Sequence, residues 1–442
     1  MTVEERVLDR ISPSPEYRRE VEGAVRSIVD SVRTASIEMG LRVDVLPVGS
    51  VAKDTYLIST DIDVFILFDK DTPKEVLERD GLEIGKRVVD GEEKYAEHPY
   101  VHGRIDGFDV DVVPCFKLDD TSELRSSVDR TPFHLKYVLE HLAEEQRDQV
   151  RLLKGFMKGI GVYGAEAKVE GFSGYMTELL VMRYGAFHDV LENAARWTPG
   201  INLWLDEEGD TRFKDPLVFY DPVDPRRNVA SALSLDSFAT FIHSCKEYLA
   251  DERIEFFFPH EREPLGIEEM TEALSERGTS IVIASFDRPD IIDDNLYPQV
   301  RKTHDGVLNL LRDNDFVILD SKFHVEDKVH LVFELEEDVL PRCKRHVGPP
   351  IWIDHSERFL QKWSSGGMSE PFIEGGRWIV LVPREYTNSI DLLENLMEKA
   401  ALGSEFKELP GLTVTGGDDV FNPAHQRTLS ALLDKRKNWE IG

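Results

Sequence analysis

The chain is 442 residues long, room for about three domains, with an ordinary hydrophobic fraction of 41%. A formal net charge of −31 repels phosphates at long range and argues against indiscriminate binding of nucleic acid. No run of about 18 apolar residues occurs, so no membrane-spanning helix is expected, and the charged start MTVEERVLDRISPSPEYRRE gives no reason to expect secretion.

Helical spacing runs from about Val3 to Glu38, followed by predicted strands at Arg42–Val48 and Asp61–Phe68, a helix at Lys74–Val89, and strands at Tyr100–Ile105 and Phe108–Pro114. This mixture predicts an α/β domain over residues 1–142. Tyr137–Gly159, Ser173–Arg196 and Leu235–Ala250 read as helices and make residues 143–258 a helical second domain. Proline punctuation around Phe258–Leu265 marks a boundary. Residues 259–328 read as an α+β unit, with helices at Ile267–Arg277 and Tyr297–Asn314 and strands at Thr279–Phe286 and Phe316–His324. Residues 329–442 are β-rich, with turns at Gly366–Gly367 and Gly375–Gly376, and end in a tail with one helix near Asn422–Asn438. The predicted class is α+β multidomain. Cys115, Cys245 and Cys343 show no metal-type spacing, and reduced thiols in a cytoplasmic protein are expected. The acidic excess is not uniform. Between Pro341 and Trp363 the cations Arg342, Lys344, Arg345, Arg358 and Lys362 face only Asp354 and Glu357, beside His346, His355 and two tryptophans. That segment suits either a polyanion or a mixed-charge surface loop.

The most informative stretch is Val48–Phe68, VGSVAKDTYLISTDIDVFILF. A strand points alternate residues to one face, so Asp61 and Asp63 project together while Ile62, Val64 and Ile66 pack beneath. Two hard carboxylates on one rigid edge suit Mg²⁺. Gly49 allows the backbone to approach a phosphate closely, and Ser50 can donate a hydrogen bond to it. Downstream, FDVDVVPCF (Phe108–Phe116) reads as a strand ending at Pro114 that offers Asp109 and Asp111 on one face. Asp111 lies deeper in the apolar run and is the better third carboxylate; Asp109 suits a solvated polar face. Three carboxylates can hold two Mg²⁺ ions that clamp the attacking and leaving oxygens of an in-line displacement. The chemistry these parts suggest is nucleotidyl transfer.

The Gly-Ser, Asp-x-Asp and distant Asp together resemble the DNA polymerase beta nucleotidyltransferase superfamily. Longer strings resemble one branch of it, the archaeal class I CCA-adding enzymes. These strings are YAEHPYVHG (Tyr95–Gly103), VDVVPCF (Val110–Phe116), VDRTPFH (Val128–His134), VRLLKGFMK (Val150–Lys158), VYGAE (Val162–Glu166), GFSGY (Gly171–Tyr175), YDPVDPRRNVA (Tyr220–Ala230), RPDIIDDNLYPQ (Arg288–Gln299) and EGGRW (Glu374–Trp378). They occur in the family's order from Val48 to Trp378; beyond about Pro383 little is recognisable.

The resemblance implies an N-terminal nucleotidyltransferase domain, a helical nucleotide- and primer-binding domain, and later domains that grip RNA. It implies template-independent addition of C, C and A to the 3′ end of tRNA from CTP and ATP, with release of pyrophosphate. Asp61, Asp63 and Asp111 would be the Mg²⁺ carboxylates, the first standing where relatives can carry Glu. Gly49, Ser50 and Lys53 would lie along the triphosphate, Lys53 replacing a bidentate Arg fork by a point charge. His134, Lys154 and Tyr163 match positions that contact the incoming nucleotide. Taken alone, His134 suits a helix cap, Lys154 a snorkelling surface lysine and Tyr163 a core residue. Arg227 is the expected reader of the base edge, with Arg226 the fallback, although either suits an ion pair with Asp221 or Asp224. Glu97 and His98 are expected to order the primer end. The implied partners are the acceptor and T stems of tRNA and a second copy of the chain, with no membrane. The rivals are a template-free polymerase using ATP alone and a non-catalytic RNA-binding relative.

Overall fold

The computed structural model describes residues 1–95 and 99–441. It divides into two units: residues 1–262 with 436–442, and residues 263–435. Among the described residues no helix is long and apolar enough to cross a membrane.

The first unit opens with α1 (Val3–Ile11) and α2 (Pro15–Glu38). The helical spacing is thus cut in two, because Pro15 can begin a helix but not continue one, and Ser14 Oγ caps the new start by accepting from Tyr17 N at 3.1 Å. Then follow β1 (Asp44–Pro47), the single turn α3 (Gly49–Ala52), β2 (Ile62–Asp69), α4 (Lys74–Val88), β3 (Gly91–Tyr95), β4 (Pro99–Ile105) and β5 (Phe108–Lys117). The five strands form one sheet in the order β1-β2-β5-β4-β3, with β2 and β5 parallel and the other pairs antiparallel. Period two divides its faces. Ile62, Val64, Ile66 and Phe68 pack with Val110, Val112 and Phe116 against Ala24, Ile28 and Val32 of α2 and Leu77 and Ile84 of α4. Each such side chain fully buried stabilises the sheet by about 1.5–3 kcal/mol. On the opposite face Phe65, Val113 and Cys115 pack against Val48 and Leu135. That face also carries Asp63 and Asp111.

Strand β5 does not end at Pro114 but runs through it to Lys117, with Pro114 in register with Ile66. Among the described residues its pairing with β4 stops at Val112, so Pro114, which lacks an N–H, has no ladder partner on that side.

The helical part comprises α5 (Thr131–His141), α6 (Gln146–Gly159), α7 (Gly174–Tyr184) and α8 (Phe187–Ala194). After these come β6 (Ile201–Leu203), β7 (Leu217–Asp221), β8 (Asp224–Asn228) and α9 (Leu235–Ala250). An aromatic core of Phe156, Phe172, Phe187, Phe241, Tyr248 and Phe256 holds these helices together. The chain's last residues return to this core, where Trp439 is buried and stacks on Phe256 with ring centroids 5.2 Å apart.

The second unit contains α10 (Ile267–Arg277), β9 (Ser280–Asp287), α11 (Asp293–Asp313), β10 (Ile318–Val325), β11 (Lys328–Leu335), β12 (Cys343–Pro350) and α12 (Ser356–Trp363). It continues with β13 (Phe372–Glu374), β14 (Arg377–Pro383), α13 (Ser389–Leu396), β15 (Thr413–Gly416) and α14 (Gln426–Leu433). Two sheets result, ordered β10-β11-β9-β15 and β12-β14-β13. In the basic segment Lys344 pairs with Asp315 at 2.9 Å and Arg345 with Glu374 at 2.6 Å, while Trp352 is 73% exposed.

Candidate active site

The parallel register of β2 and β5 sets Asp63 directly beside Asp111, and Asp61 lies one residue before β2 begins. Val48 N donates to Asp63 O at 2.9 Å, drawing the Gly-Ser turn against the strand. Gly49 has φ +68°, and a Cβ there would lie 2.1 Å from Asp63 Oδ2. Only glycine therefore fits, and the close approach it permits here is to the carboxylate. Burial, then the charges of Asp111 and Asp61, push Asp63 up to about 6. Asp61 is raised by burial and by Asp109 and Asp111. His102, opposite Asp111 in register, places Nδ1 2.7 Å from Asp111 Oδ1.

Among the described residues no three His, Cys, Asp or Glu side chains converge closely enough to hold a metal ion as they stand. The donor chemistry nonetheless fits one. Asp63 and Asp111 share a face, Asp61 is coupled electrically to both, and burial and like charge raise Asp61 and Asp63. Mg²⁺ relieves such repulsion and takes oxygen ligands.

Beyond α3, four consecutive residues are tied to helices α6 and α7. Lys53 Nζ donates to Glu178 Oε2 at 2.6 Å, and Thr55 Oγ1 donates to Glu178 Oε1 at 2.7 Å. Lys154 Nζ donates to Thr55 O at 3.0 Å and Thr55 Oγ1 at 3.1 Å, and lies 3.8 Å from Glu178 Oε1. Arg151 donates to the carbonyls of Asp54 and Tyr56. The Asp54 carboxylate, at φ +53°, meets Arg18, Arg147 and Arg151. Lys53, Lys154 and Glu178 are all buried, so two ammonium groups share one carboxylate and leave a net positive charge out of water. Burial and the neighbouring cations Lys53, Arg151 and Lys158, against the opposing pull of Glu178, lower Lys154 to about 8. Burial alone would raise Glu178, but Lys53 and Lys154 outweigh it and hold the carboxyl below its usual range.

A second cluster is centred on Asp221, at the end of β7. Its carboxylate accepts from Arg227 Nη1 at 3.0 Å and from Tyr175 Oη at 3.2 Å, and lies 2.8 Å from His134 Nε2. Val223 N also donates to it at 3.1 Å, closing the tight hairpin between β7 and β8. His134 stacks on Tyr175 with centroids 4.0 Å apart, and the Lys53 ammonium lies 5.7 Å from the same Tyr175 ring. Tyr175 thus adjoins both clusters. Arg226 pairs instead with Asp224 at 2.9 Å.

Ser50 Oγ lies 3.3 Å from Thr60 Oγ1, near the carboxylates. Tyr163 is held beside Phe172, and a Cβ on Gly174 would meet Tyr163 Oη at 3.0 Å and Lys154 Nζ at 3.9 Å. Burial raises the Tyr163 hydroxyl well above its usual range, which keeps it a donor. Lys154 is no snorkelling surface lysine, and His134 sits in the first turn of α5 without capping it. Glu97 and His98 lie outside the described residues.

Three family models match along the chain. One described as a nucleotidyltransferase domain covers residues 26–134, tRNA nucleotidyltransferase second domain covers 148–258, and CCA-adding enzyme C-terminal domain covers 277–410. The chain is 40% identical over 408 residues to a CCA-adding enzyme of Methanosarcina barkeri, covering 90% of each chain. It is also 40% identical over 441 residues to one of Methanothermobacter thermautotrophicus, covering 96% of this chain and 95% of the relative.

The chain belongs to the CCA-adding enzyme family.

A solved structure of Cid1, which has RNA terminal uridylyl transferase activity, matches at 14% identity with a TM-score of 0.47, covering 59% of this chain and 98% of its own. Within this CCA-adding enzyme, the two clusters contain residues that the sequence reading did not single out: Thr55, Tyr175 and Glu178, with His102 at Asp111. Asp221 was foreseen only as an ion-pair partner. One signal was available. Glu178 interrupts the apolar stretch MTELLVM, and a carboxylate among apolar helix residues is rarely buried unless it is paired.

Proposed function

We propose that this enzyme adds C, C and A in turn to the 3′ end of tRNA, taking CTP and ATP and releasing pyrophosphate without a nucleic-acid template. The observation that carries the reading is the pairing of opposites in one unit. Like-charged carboxylates stand on β2 and β5, while a buried net positive charge stands at Lys53 and Lys154.

The 3′ oxygen of the tRNA attacks the α-phosphorus, the bond to the β-phosphate oxygen breaks, and pyrophosphate leaves. Asp61, Asp63 and Asp111 would hold Mg²⁺, as two ions, which when bound lowers the pKa of the attacking hydroxyl and neutralises the leaving group. Asp111 is nearest in role to the general base. Ser50, Lys53 and Lys154 orient the triphosphate beside the turn that Gly49 permits, Tyr163 donates its hydroxyl, and His134 and Arg227 face the nucleoside. Residues 1–142 act as the catalytic domain and 143–258 as the nucleotide- and primer-binding domain. Residues 259–328 and the β-rich part of 329–442 grip the acceptor and T stems through shape, phosphates and 2′-hydroxyls, while the end of the tail belongs to the first unit's core. The reading places the enzyme in the cytoplasm as a homodimer.

A labelled tRNA transcript lacking CCA, offered Mg²⁺ with CTP, ATP or both, tests this. Two additions with CTP alone, and a third only when ATP is also present, are expected. A long A ladder instead indicates a template-free poly(A) polymerase. Binding without extension indicates a non-catalytic relative and overturns the reading.

A further inference from the structure

Base choice in this enzyme has to distinguish C and A from U and G with one pocket. On their pairing edges cytosine and adenine share a ring-nitrogen acceptor beside an amino donor. Uracil and guanine present the reverse, a ring N–H beside a carbonyl acceptor. A guanidinium carries donors only. Held at a fixed angle, it accepts the first pattern and sets N–H against N–H in the second. Free to swing, it can find the carbonyl oxygen of uracil or guanine. Discrimination by an arginine therefore depends on what holds the arginine.

Here that group is Asp221. Its side chain is fully buried and gathers three side chains from three elements: Arg227 of β8, His134 of α5 and Tyr175 of α7. Burial alone would raise this carboxyl, but the hydrogen bond from His134 and the charge of Arg227 outweigh it and hold the group below its ordinary value. Burial holds His134 below its ordinary value despite the pull of Asp221, so near neutral pH the ring is uncharged. Because the carboxylate can only accept, the ring's one proton sits on Nε2 and Nδ1 is left an acceptor. Arg227 gives Nη1 to this carboxylate and keeps its other donors. The neighbouring Asp224 does the corresponding work for Arg226 and Arg130, so the two acidic residues of the hairpin hold different arginines.

We propose that Asp221 is the positioning residue that sets nucleotide choice, fixing Arg227, His134 and Tyr175 as one unit so that only the C and A pattern meets the guanidinium correctly. The inference rests on the reading above that Arg227 faces the base. Asp221→Asn keeps the shape of the side chain and removes its charge. It should raise incorporation of UTP relative to CTP, measured as the ratio of kcat/KM, about tenfold. KM for CTP and ATP should rise more than kcat falls. Tyr175→Phe removes one hydrogen bond and leaves the stack on His134, and should shift the same ratio about threefold. It serves if the Asp221 variant does not fold. Asp224→Asn should leave the ratio unchanged. Unchanged discrimination in the Asp221 and Tyr175 variants, with Arg227→Ala losing it, overturns the inference alone. Unchanged discrimination in Arg227→Ala overturns the base-reading role on which it rests. A shift on Asp224→Asn but not on Asp221→Asn assigns the work to Arg226 and overturns both.

Discussion

The strand-borne carboxylates and the helix-borne lysine pocket are both charged sites in the first unit, and they are built in opposite ways. Among the described residues Asp61, Asp63 and Asp111 form no ion pair with a Lys or Arg, His102 standing at one oxygen of Asp111, and burial together with like charge raises Asp61 and Asp63. Lys53, Lys154 and Glu178 are mixed charges, fully buried and bonded to one another and to Thr55. The first arrangement gains stability only when a cation joins it. The second is already a wall, set rigidly before any substrate arrives. One site thus waits for its ligand to complete it, and the other is complete and offers a surplus charge.

The contrast breaks most sharply at Asp63. Asp63→Ala should lower transfer on the order of 10³-fold or more, because the site loses an oxygen ligand and its closest partner in register. It should leave the fold intact, since removing one of several repelling charges relieves strain. Primer extension together with tRNA gel shift checks both halves. Retained CCA addition, or lost folding, would mean the carboxylates are structural.

Glu178 should behave in the opposite sense. Glu178→Ala strands two buried ammonium groups and should cost about 3–5 kcal/mol, read from denaturant unfolding. Glu178→Gln keeps one acceptor oxygen where Lys53 and Thr55 now use two, and should cost less than the alanine while raising KM for both nucleotides. A Glu178→Ala protein as stable as the parent would show that the wall is not rigid.

The same two sites were unequally legible in the sequence. The carboxylates follow from period two within a single strand, and the faces of β2 and β5 could be read from FILF and VVPCF without knowing what packs on them. What the strings do not contain is register, so the direct pairing of Asp63 with Asp111 appears only in the folded sheet. Pro114 misled because a proline is tolerated where the neighbouring ladder has stopped, and that too is a tertiary fact. The break between α1 and α2 was legible in principle from Ser14-Pro15. The lysine wall was not, because Lys53 and Glu178 lie 125 residues apart and nothing local marks them as partners. Strand β15 was missed for a similar reason: four residues with a partner far upstream in β9 carry no pattern of their own.

The alkaline limb of the pH profile sharpens the comparison further. Lys154 is lowered from its ordinary 10.5 to about 8. As pH rises through about 8 it loses its proton and its hold on triphosphate, so kcat/KM for CTP should fall about tenfold per pH unit well above that point. Stability should move the other way. Between about 8 and 10.5 the unfolded chain binds the proton that the folded one has released, and the fold gains from each rise in pH. Parallel losses of activity and stability would indicate general alkaline unfolding.

The smallest effect concerns the carboxylates again. Asp63 is raised from 3.8 to about 6, so between these values the folded chain holds a proton that the unfolded one has lost. Stability therefore declines as pH rises through this window, and above about 6 the ionised carboxylates repel one another in full. Mg²⁺ should restore what that repulsion removes, but only where the carboxylates are ionised. Adding Mg²⁺ should raise Tm by about 2–4 °C near pH 7.5 and by much less near pH 5. The gain should vanish in Asp63→Ala and persist in Lys154→Met, whose ammonium belongs to the wall. A gain equal at both pH values, or one carried equally by both variants, would show that Mg²⁺ acts on the acidic surface at large. The strand-borne site would then not be waiting for a cation.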